Sequence, residues 1–402
     1  MLFLLAMTEV MPLALVSQAI PVLMRRGGAT MAQIGVVFLA MFPWTLKAVW
    51  APLVDRLSVL PRLGRYRGWL LVTHPLLLAI VLAGSLVDLP GLVRTHQPLA
   101  LAGLLCLTSV CAVADAAAHG MAVQLLRPDE RGLGNTMQTV GLMTGNLIGG
   151  GLMVMLTGAL GWSMAVLVLA AAVALTLPAI ALYREPERTL PRALSMKDVL
   201  EFFRQPRKTR WLIVVALLPL GASLIGPSLE LLLVDRGFRL REIGLVLGVF
   251  SSVAGIVGGV LGGLGVKLLG RQRAFSVLML FCAAMLTLVL LSGLTSSRWA
   301  LFIVVSLPNV GVMARATMLH VLMMDRCRGH VASTDFTLQY TVQQVSRFAF
   351  TSAGAFLAGP LGATMIFALG PLLTLFCLLV ASRILDERDF QVELPVEQRQ
   401  AA

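Results

Sequence analysis

The sequence predicts an all-α polytopic membrane protein: twelve transmembrane helices in two pseudo-symmetric six-helix bundles. Three observations carry this. The chain is 58% hydrophobic and only 13% charged, with a mean hydropathy of +0.87. Twelve apolar stretches are long enough to cross a hydrocarbon core, which takes about 20 helical residues each. And a loop signature recurs. Arg26-Gly27 and Gln33-Ile34-Gly35 follow the first stretch, and Arg236-Gly237 and Glu242-Ile243-Gly244 follow the seventh.

The stretches lie near 2–24, 31–52, 68–87, 99–123, 133–157, 162–183, 211–234, 243–265, 274–294, 299–323, 336–358 and 363–383. Helices are expected, because lipid offers backbone groups no partner outside their own segment. The first stretch has no basic flank and no small-residue cleavage site, so it reads as a retained span. The long polar stretch, 184–210, contains Ser195-Met196-Lys197-Asp198 and then Val199-Leu200-Glu201-Phe202-Phe203. It reads as a linker with a short amphipathic surface helix. The expected organisation is an amino-terminal bundle (1–183), that linker, and a carboxy-terminal bundle with a polar tail (211–402).

The net charge of +12 follows topology. Most of the Lys and Arg fall in the loops after even-numbered spans, in the 184–210 stretch and in the tail. The opposite loops hold fewer, including Arg25, Arg26, Arg94, Arg236 and Arg298. By the positive-inside rule both termini are cytoplasmic, and contact with anionic lipid is a secondary effect. A nucleic-acid partner is not indicated. Cys106, Cys111, Cys282, Cys327 and Cys377 show no CxxC or metal-ligand spacing, so neither a metal nor another cofactor is expected. No phosphate-binding loop is present, so any uphill transport would have to draw on an ion gradient or a separate partner. Short loops leave little room for a catalytic domain. A non-enzyme is expected, with a polytopic enzyme or a receptor as the competing class.

Polar groups inside spans are costly enough to ask for a reason. Glu9 lies in the first span near Pro12 and could carry a proton or serve as a structural carboxylate. Asp115 and His119 share one face of the fourth, as a proton relay or a static pair. In the eleventh, Asp335, Gln339, Gln343, Arg347 and Thr351 recur every four residues and form a polar stripe. Arg347, with Arg315 and Asn309 on the tenth span, could form a basic wall for an oxygen-rich ligand, or pair with a buried carboxylate. Gln18 could line the same cavity. Lys47 reads as a snorkelling residue, and His74 as lying near the membrane edge. Gly244, Gly248, Gly255, Gly259 and Gly263 of the eighth span read as helix-packing positions.

After the second span the chain reads Ala51-Pro52-Leu53-Val54-Asp55-Arg56 and then Gly64-Arg65-Tyr66-Arg67. A weaker copy, Gly262-Gly263-Leu264-Gly265-Val266-Lys267, precedes Gly270-Arg271. This resembles the signature loop of the major facilitator superfamily. The resemblance implies a conformational latch made by Asp55, Arg56, Gly64 and Arg65, with Asp55 capping a helix end. Pro43-Trp44-Thr45-Leu46-Lys47 and Leu125-Leu126-Arg127-Pro128-Asp129-Glu130-Arg131 are similar to the muropeptide-permease and siderophore-permease branch. Ser333-Thr334-Asp335-Phe336-Thr337-Leu338-Gln339 most resembles the RhtX/FptX siderophore permeases.

That resemblance implies an inner-membrane importer of a ferric siderophore such as ferric pyochelin. It would work by alternating access and proton symport, and an outer-membrane siderophore receptor would be its functional partner. Glu9, Asp115 and His119 would couple protons. Gln18, Asn309, Arg315, Gln339, Gln343 and Arg347 would bind substrate. Two other transport readings stand beside it. One is a muropeptide importer. The other is an efflux antiporter, suggested by Gly141-Leu142-Met143-Thr144-Gly145-Asn146-Leu147-Ile148-Gly149-Gly150, where Asn146 replaces the proline of the antiporter signature.

Overall fold

A computed structural model describes residues 1–29, 31–185, 206–293, 295 and 297–391. The described residues are helical and contain no strand. The surface helix expected within 184–210 falls largely on 186–205, outside the described residues. Among the described residues, eleven helices are long and apolar enough to span a membrane. They are α1 (Leu2–Arg26), α2 (Gly35–Arg56), α3 (Arg65–Ser85), α4 (Gln97–Leu125), α5 (Arg131–Leu160), α6 (Trp162–Leu182), α7 (Arg207–Leu229), α8 (Glu242–Leu269), α9 (Arg271–Gly293), α10 (Arg298–Met324) and, at the end of the chain, α12 (Ala363–Ile384). Between the last two lies α11 (Ala332–Leu361). It carries the polar stripe, and those residues lower its apolar content.

The helices form two compact units, each taking a short piece of the other half of the sequence. The first holds Met1–Leu125, Val140–Leu194 and His330–Thr337, which includes the start of α11. The second holds Leu126–Thr139, Ser195–Gly329 and Leu338–Ala402, which includes the start of α5.

In the first unit, α5 rides on α1 through glycine. A Cβ on Gly141, Gly145 or Gly149 would strike the carbonyl oxygen of Phe3, Met7 or Met11 respectively. Four-residue spacing puts these glycines on one face, and bare backbone lets the helices touch. At the end of this contact each helix has a π-helical turn, Leu15–Ala19 in α1 and Ile148–Leu152, which includes Gly149, in α5. Such turns shift the face that follows. Gln18 on the first turn donates to Asn146 Oδ1 at 3.2 Å. The glycines that suggested an antiporter signature are therefore packing positions.

In the second unit, Gly258 and Gly262 of α8 approach the carbonyls of Val310 and Ala314 in α10. Gly259 and Gly263, in the adjacent register, receive Thr139 and Thr136 from the start of α5. Gly244, from the expected packing set, has open space around it.

In α2 and α7 the helix breaks, and side chains meet the freed carbonyls. α2 loses its regular bonding at Ala40–Met41 and again at Leu46. Thr108 of α4 donates to the freed Ala40 carbonyl at 2.6 Å, and Trp50 Nε1 donates to Pro43 O at 3.3 Å. α7 breaks at Leu218–Pro219. Its loose carbonyls accept from Arg315 Nη1 (at Leu218) and from Cys377 Sγ (at Leu217, 3.2 Å). Backbone freed inside a membrane must find partners within the protein.

Candidate functional site

The first unit contains a buried cluster of charge. Lys47 begins the helical segment after the α2 break, and the break turns its ammonium inward. Nζ lies 2.6 Å from Asp115 Oδ2 and 4.6 Å from the centre of the Trp44 ring. Lys47 is 2% exposed. It does not snorkel; it is the partner of a carboxylate in α4. One turn along α4, His119 Nδ1 stands 3.3 Å from the same Asp115 oxygen and 2.9 Å from the Asp115 carbonyl. Glu9, 2% exposed on α1, is within electrostatic reach of both Asp115 and Lys47. Its Oε1 has no hydrogen-bond partner among the described residues.

His74 belongs to the same interior. It is fully buried, and its Nε2 lies 3.5 Å from the hydroxyl of Thr8, the neighbour of Glu9. This replaces its expected place at the membrane edge. Pro75 follows it in α3, and no periodic signal distinguished the buried face there.

A second constellation surrounds Asp55, also in the first unit. Asp55 Oδ1 accepts from Tyr66 Oη at 2.5 Å and from the Ser333 N–H at 3.3 Å. Oδ2 accepts from both the N–H and the hydroxyl of Thr334, each at 2.6 Å. The carboxylate thus caps the start of α11, where backbone N–H groups lack intrahelical partners and the helix dipole favours an anion. Ser333 Oγ donates to Ala116 O of α4 at 2.7 Å. Phe336 stacks on the His119 ring, with centroids 4.4 Å apart and planes 18° from parallel.

Gly64 caps α3 with φ +99° and ψ 162°, which a side chain would disfavour. Its open Cα face lies against the Glu185 carboxylate, which accepts from the Arg67 N–H at 2.8 Å. Arg65 is half-buried and Arg56 is exposed. Of the four loop residues, Asp55 carries the contact to α11. Gly64 shapes the start of α3.

The second unit fixes the start of α5 differently. Asp325, which follows α10, accepts from Arg131 Nη1 at 2.6 Å and from Arg271 Nε and Nη2 at 2.5 and 3.1 Å. Arg271 also reaches Pro128 O at 2.8 Å. Thr139 and Thr317 share a hydrogen bond of 2.8 Å. Asp325 carried no signal in the sequence, because a carboxylate in a basic loop looks solvated until its partners converge.

The expected ligand wall divides. Arg315 is 4% exposed and braces the α7 break, and its Nε has no partner among the described residues. Gln339 is fully buried. Its Oε1 accepts from Trp211 Nε1 at 2.6 Å, and its Nε2 donates to Met323 O at 3.2 Å. Asn309 donates to Ser251 O at 2.6 Å. Along α11, burial falls from Asp335 and Gln339 through Gln343 to an exposed Arg347. Arg347 is open to its surroundings, while Arg315 and Gln339 are committed to helix packing.

Comparison with known proteins places this geometry. Residues 2–351 match the model of the Major Facilitator Superfamily. The anhydromuropeptide permease of Escherichia coli K12 is 30% identical over 289 residues, 70% of this chain. The match spans 57% of that permease's length. A putative transporter, AmpG 4 of Rickettsia felis, is 21% identical over 84% of each chain. Among solved structures, the Escherichia coli fucose:proton symporter superposes with a TM-score of 0.70 at 12% identity, over 96% of this chain and 98% of its own. A bacterial homologue of the iron transporter ferroportin gives 0.69 at 14%, over 95% and 98%. At such identities these likenesses speak for the fold alone. The family model, covering most of the sequence, shows more: the chain belongs to the major facilitator superfamily and is a multi-pass membrane transporter.

Proposed function

We propose that this transporter imports a muropeptide-type solute, a sugar bearing a short acidic peptide, across a bacterial inner membrane by proton symport. The observation that carries the coupling is the buried cluster of Glu9, Lys47, Asp115 and His119. Two carboxylates and one ammonium inside a low-dielectric bundle leave one uncompensated negative charge when the imidazole is neutral. One added proton, on Glu9 or His119, removes it. Such a site has a physical reason to take up and give back a single proton during each cycle. Asp55 would hold the start of α11 in the state where that end is closed, with this face and both termini on the cytoplasmic side.

The substrate class is supported by the likeness to the anhydromuropeptide permease. Exposed Arg347, with Gln343 one turn before it, suits a peptide carboxylate through charge-assisted bonding. The ferric-siderophore reading rested most on Ser333–Gln339. Ser333, Thr334, Phe336 and Gln339 of that run have packing partners (Asp55, Ala116, His119, Trp211), so the run does not favour an iron chelate. The test is uptake into proteoliposomes of labelled anhydromuropeptide and of a panel of ferric chelates, with and without an imposed proton gradient. Gradient-dependent accumulation of the muropeptide alone is expected. Accumulation of a ferric chelate alone would reinstate the siderophore reading. Unchanged accumulation on collapsing the gradient would remove proton symport.

A further inference from the structure

The charge cluster and the Asp55 cap meet on one turn of α4. Asp115 is the anion of the cluster. The next residue, Ala116, gives its carbonyl to Ser333 Oγ. His119 bears the face on which Phe336 stacks. Gly120 has no side chain because the Tyr66 ring and Ser333 occupy that space: a Cβ there would lie 2.9 Å from Ser333 Cβ and closer still to the Tyr66 ring. Tyr66 in turn donates to Asp55. Asp115 to Gly120 thus touches Ser333, Phe336 and Tyr66, which surround the Asp55 cap, and Asp115 and His119 belong to the titratable cluster as well.

The geometry points to Phe336 as a positioning residue that ties the seating of α11 to the ionic state of the cluster, through its stack on His119. The physical link is short. The imidazole faces Asp115 on its own helix, and Asp115 in turn meets Lys47 from α2 and the field of Glu9 from α1. Its ring orientation is set by the Asp115 carboxylate and carbonyl, 3.3 and 2.9 Å from Nδ1. A stack nearly parallel, as this one is, depends on that orientation. If the cluster rearranges on gaining or losing a proton, the ring turns, and the platform under Phe336 changes. Aliphatic bulk at position 336 would fill the space without sensing the rotation. This inference rests on the transport reading for its meaning, but its test does not need transport.

The test is deuterium exchange at the Ser333 and Thr334 amides, which are bound to Asp55 when α11 is seated. The full-length protein is purified without ligand, and four forms are compared: parent, His119→Gln, Phe336→Leu and the double variant. His119→Gln is expected to speed exchange about fivefold in the parent background, the scale of one aromatic pair. In the Phe336→Leu background it should add less than about twofold, since the sensor is gone. Phe336→Tyr should restore the full response. Additive effects, or no effect of His119→Gln at all, would overturn the proposal. Should Phe336→Leu not fold, Phe336→Met serves as the insensitive form, and a full His119 response in it would also overturn the proposal. A protein that passes this cycle yet accumulates no offered solute would contradict the transport reading and leave the link standing.

Discussion

Asp55 and Thr334 stand 279 positions apart, and one carboxylate oxygen of the first accepts both the N–H and the hydroxyl of the second at 2.6 Å. Asp55 thereby does for α11 what an N-cap residue usually does from within its own helix. The cap comes from α2, so α11 keeps it only while the two remain together.

Asp55→Asn turns one acceptor oxygen into an NH2 donor facing other donors. The loss should be about 1.5–3 kcal/mol, the worth of hydrogen bonds to a charged group. Transport should fall at least tenfold while ligand affinity in detergent stays within a few-fold. A large loss of affinity with normal turnover at saturation would contradict the cap's role in cycling.

Lys47→Met should be among the most destabilising single changes in the first unit. It leaves Asp115 buried beside Glu9 without its ammonium, at a cost of roughly 3–5 kcal/mol. Adding Asp115→Leu should recover much of the loss, because the stranded charge goes with it. Thermal unfolding in detergent reads both; a single variant as stable as the parent would mean that the ion pair contributes nothing to stability.

Glu9→Gln preserves shape and removes the titrating proton site. Gradient-driven accumulation should collapse while solute exchange down its own gradient continues within about threefold of the parent, because only the transition-coupled proton is lost. Undiminished gradient-driven accumulation in a normally folded variant would exclude Glu9 and move the proton to His119.

Arg347 and Arg315 should separate cleanly. Arg347 is exposed, so Arg347→Gln should leave stability within about 0.5 kcal/mol and weaken solute binding by about 1.5–3 kcal/mol. Arg315→Gln should destabilise by about 1–3 kcal/mol by freeing the Leu218 carbonyl at the α7 break. Titration and melting of both variants check the pair. An Arg315 variant with parental stability and weakened binding would return that residue to the ligand wall.

Much of the fold was legible in the sequence because membrane spans obey a one-dimensional rule of length and apolarity. The candidate coupling residues were legible for a related reason: a carboxylate such as Glu9 or Asp115 in an apolar run violates that rule. Partners were not legible. Lys47 lies near the end of its apolar stretch, where a lysine usually reaches for water. The α2 breaks at Ala40–Met41 and Leu46 flank Pro43, and the segment that Lys47 begins carries its ammonium to Asp115. Arg315 and Gln339 fitted a ligand stripe by spacing, since periodicity gives a face and not what the face meets. Gln339 meets Trp211, and Arg315 meets the Leu218 carbonyl at the break in another helix.

The two repeats seat their exchanged helix ends by unlike chemistry. The α11 start is held by one carboxylate and neutral donors, whereas the α5 start ends in a cage of two guanidiniums around Asp325. Both anions are buried, Asp55 at 2% and Asp325 at 4% exposure, so added salt screens neither appreciably. Each end therefore has its own key: Asp55→Asn loosens the α11 start and Asp325→Asn the α5 start, and neither substitution touches a partner of the other.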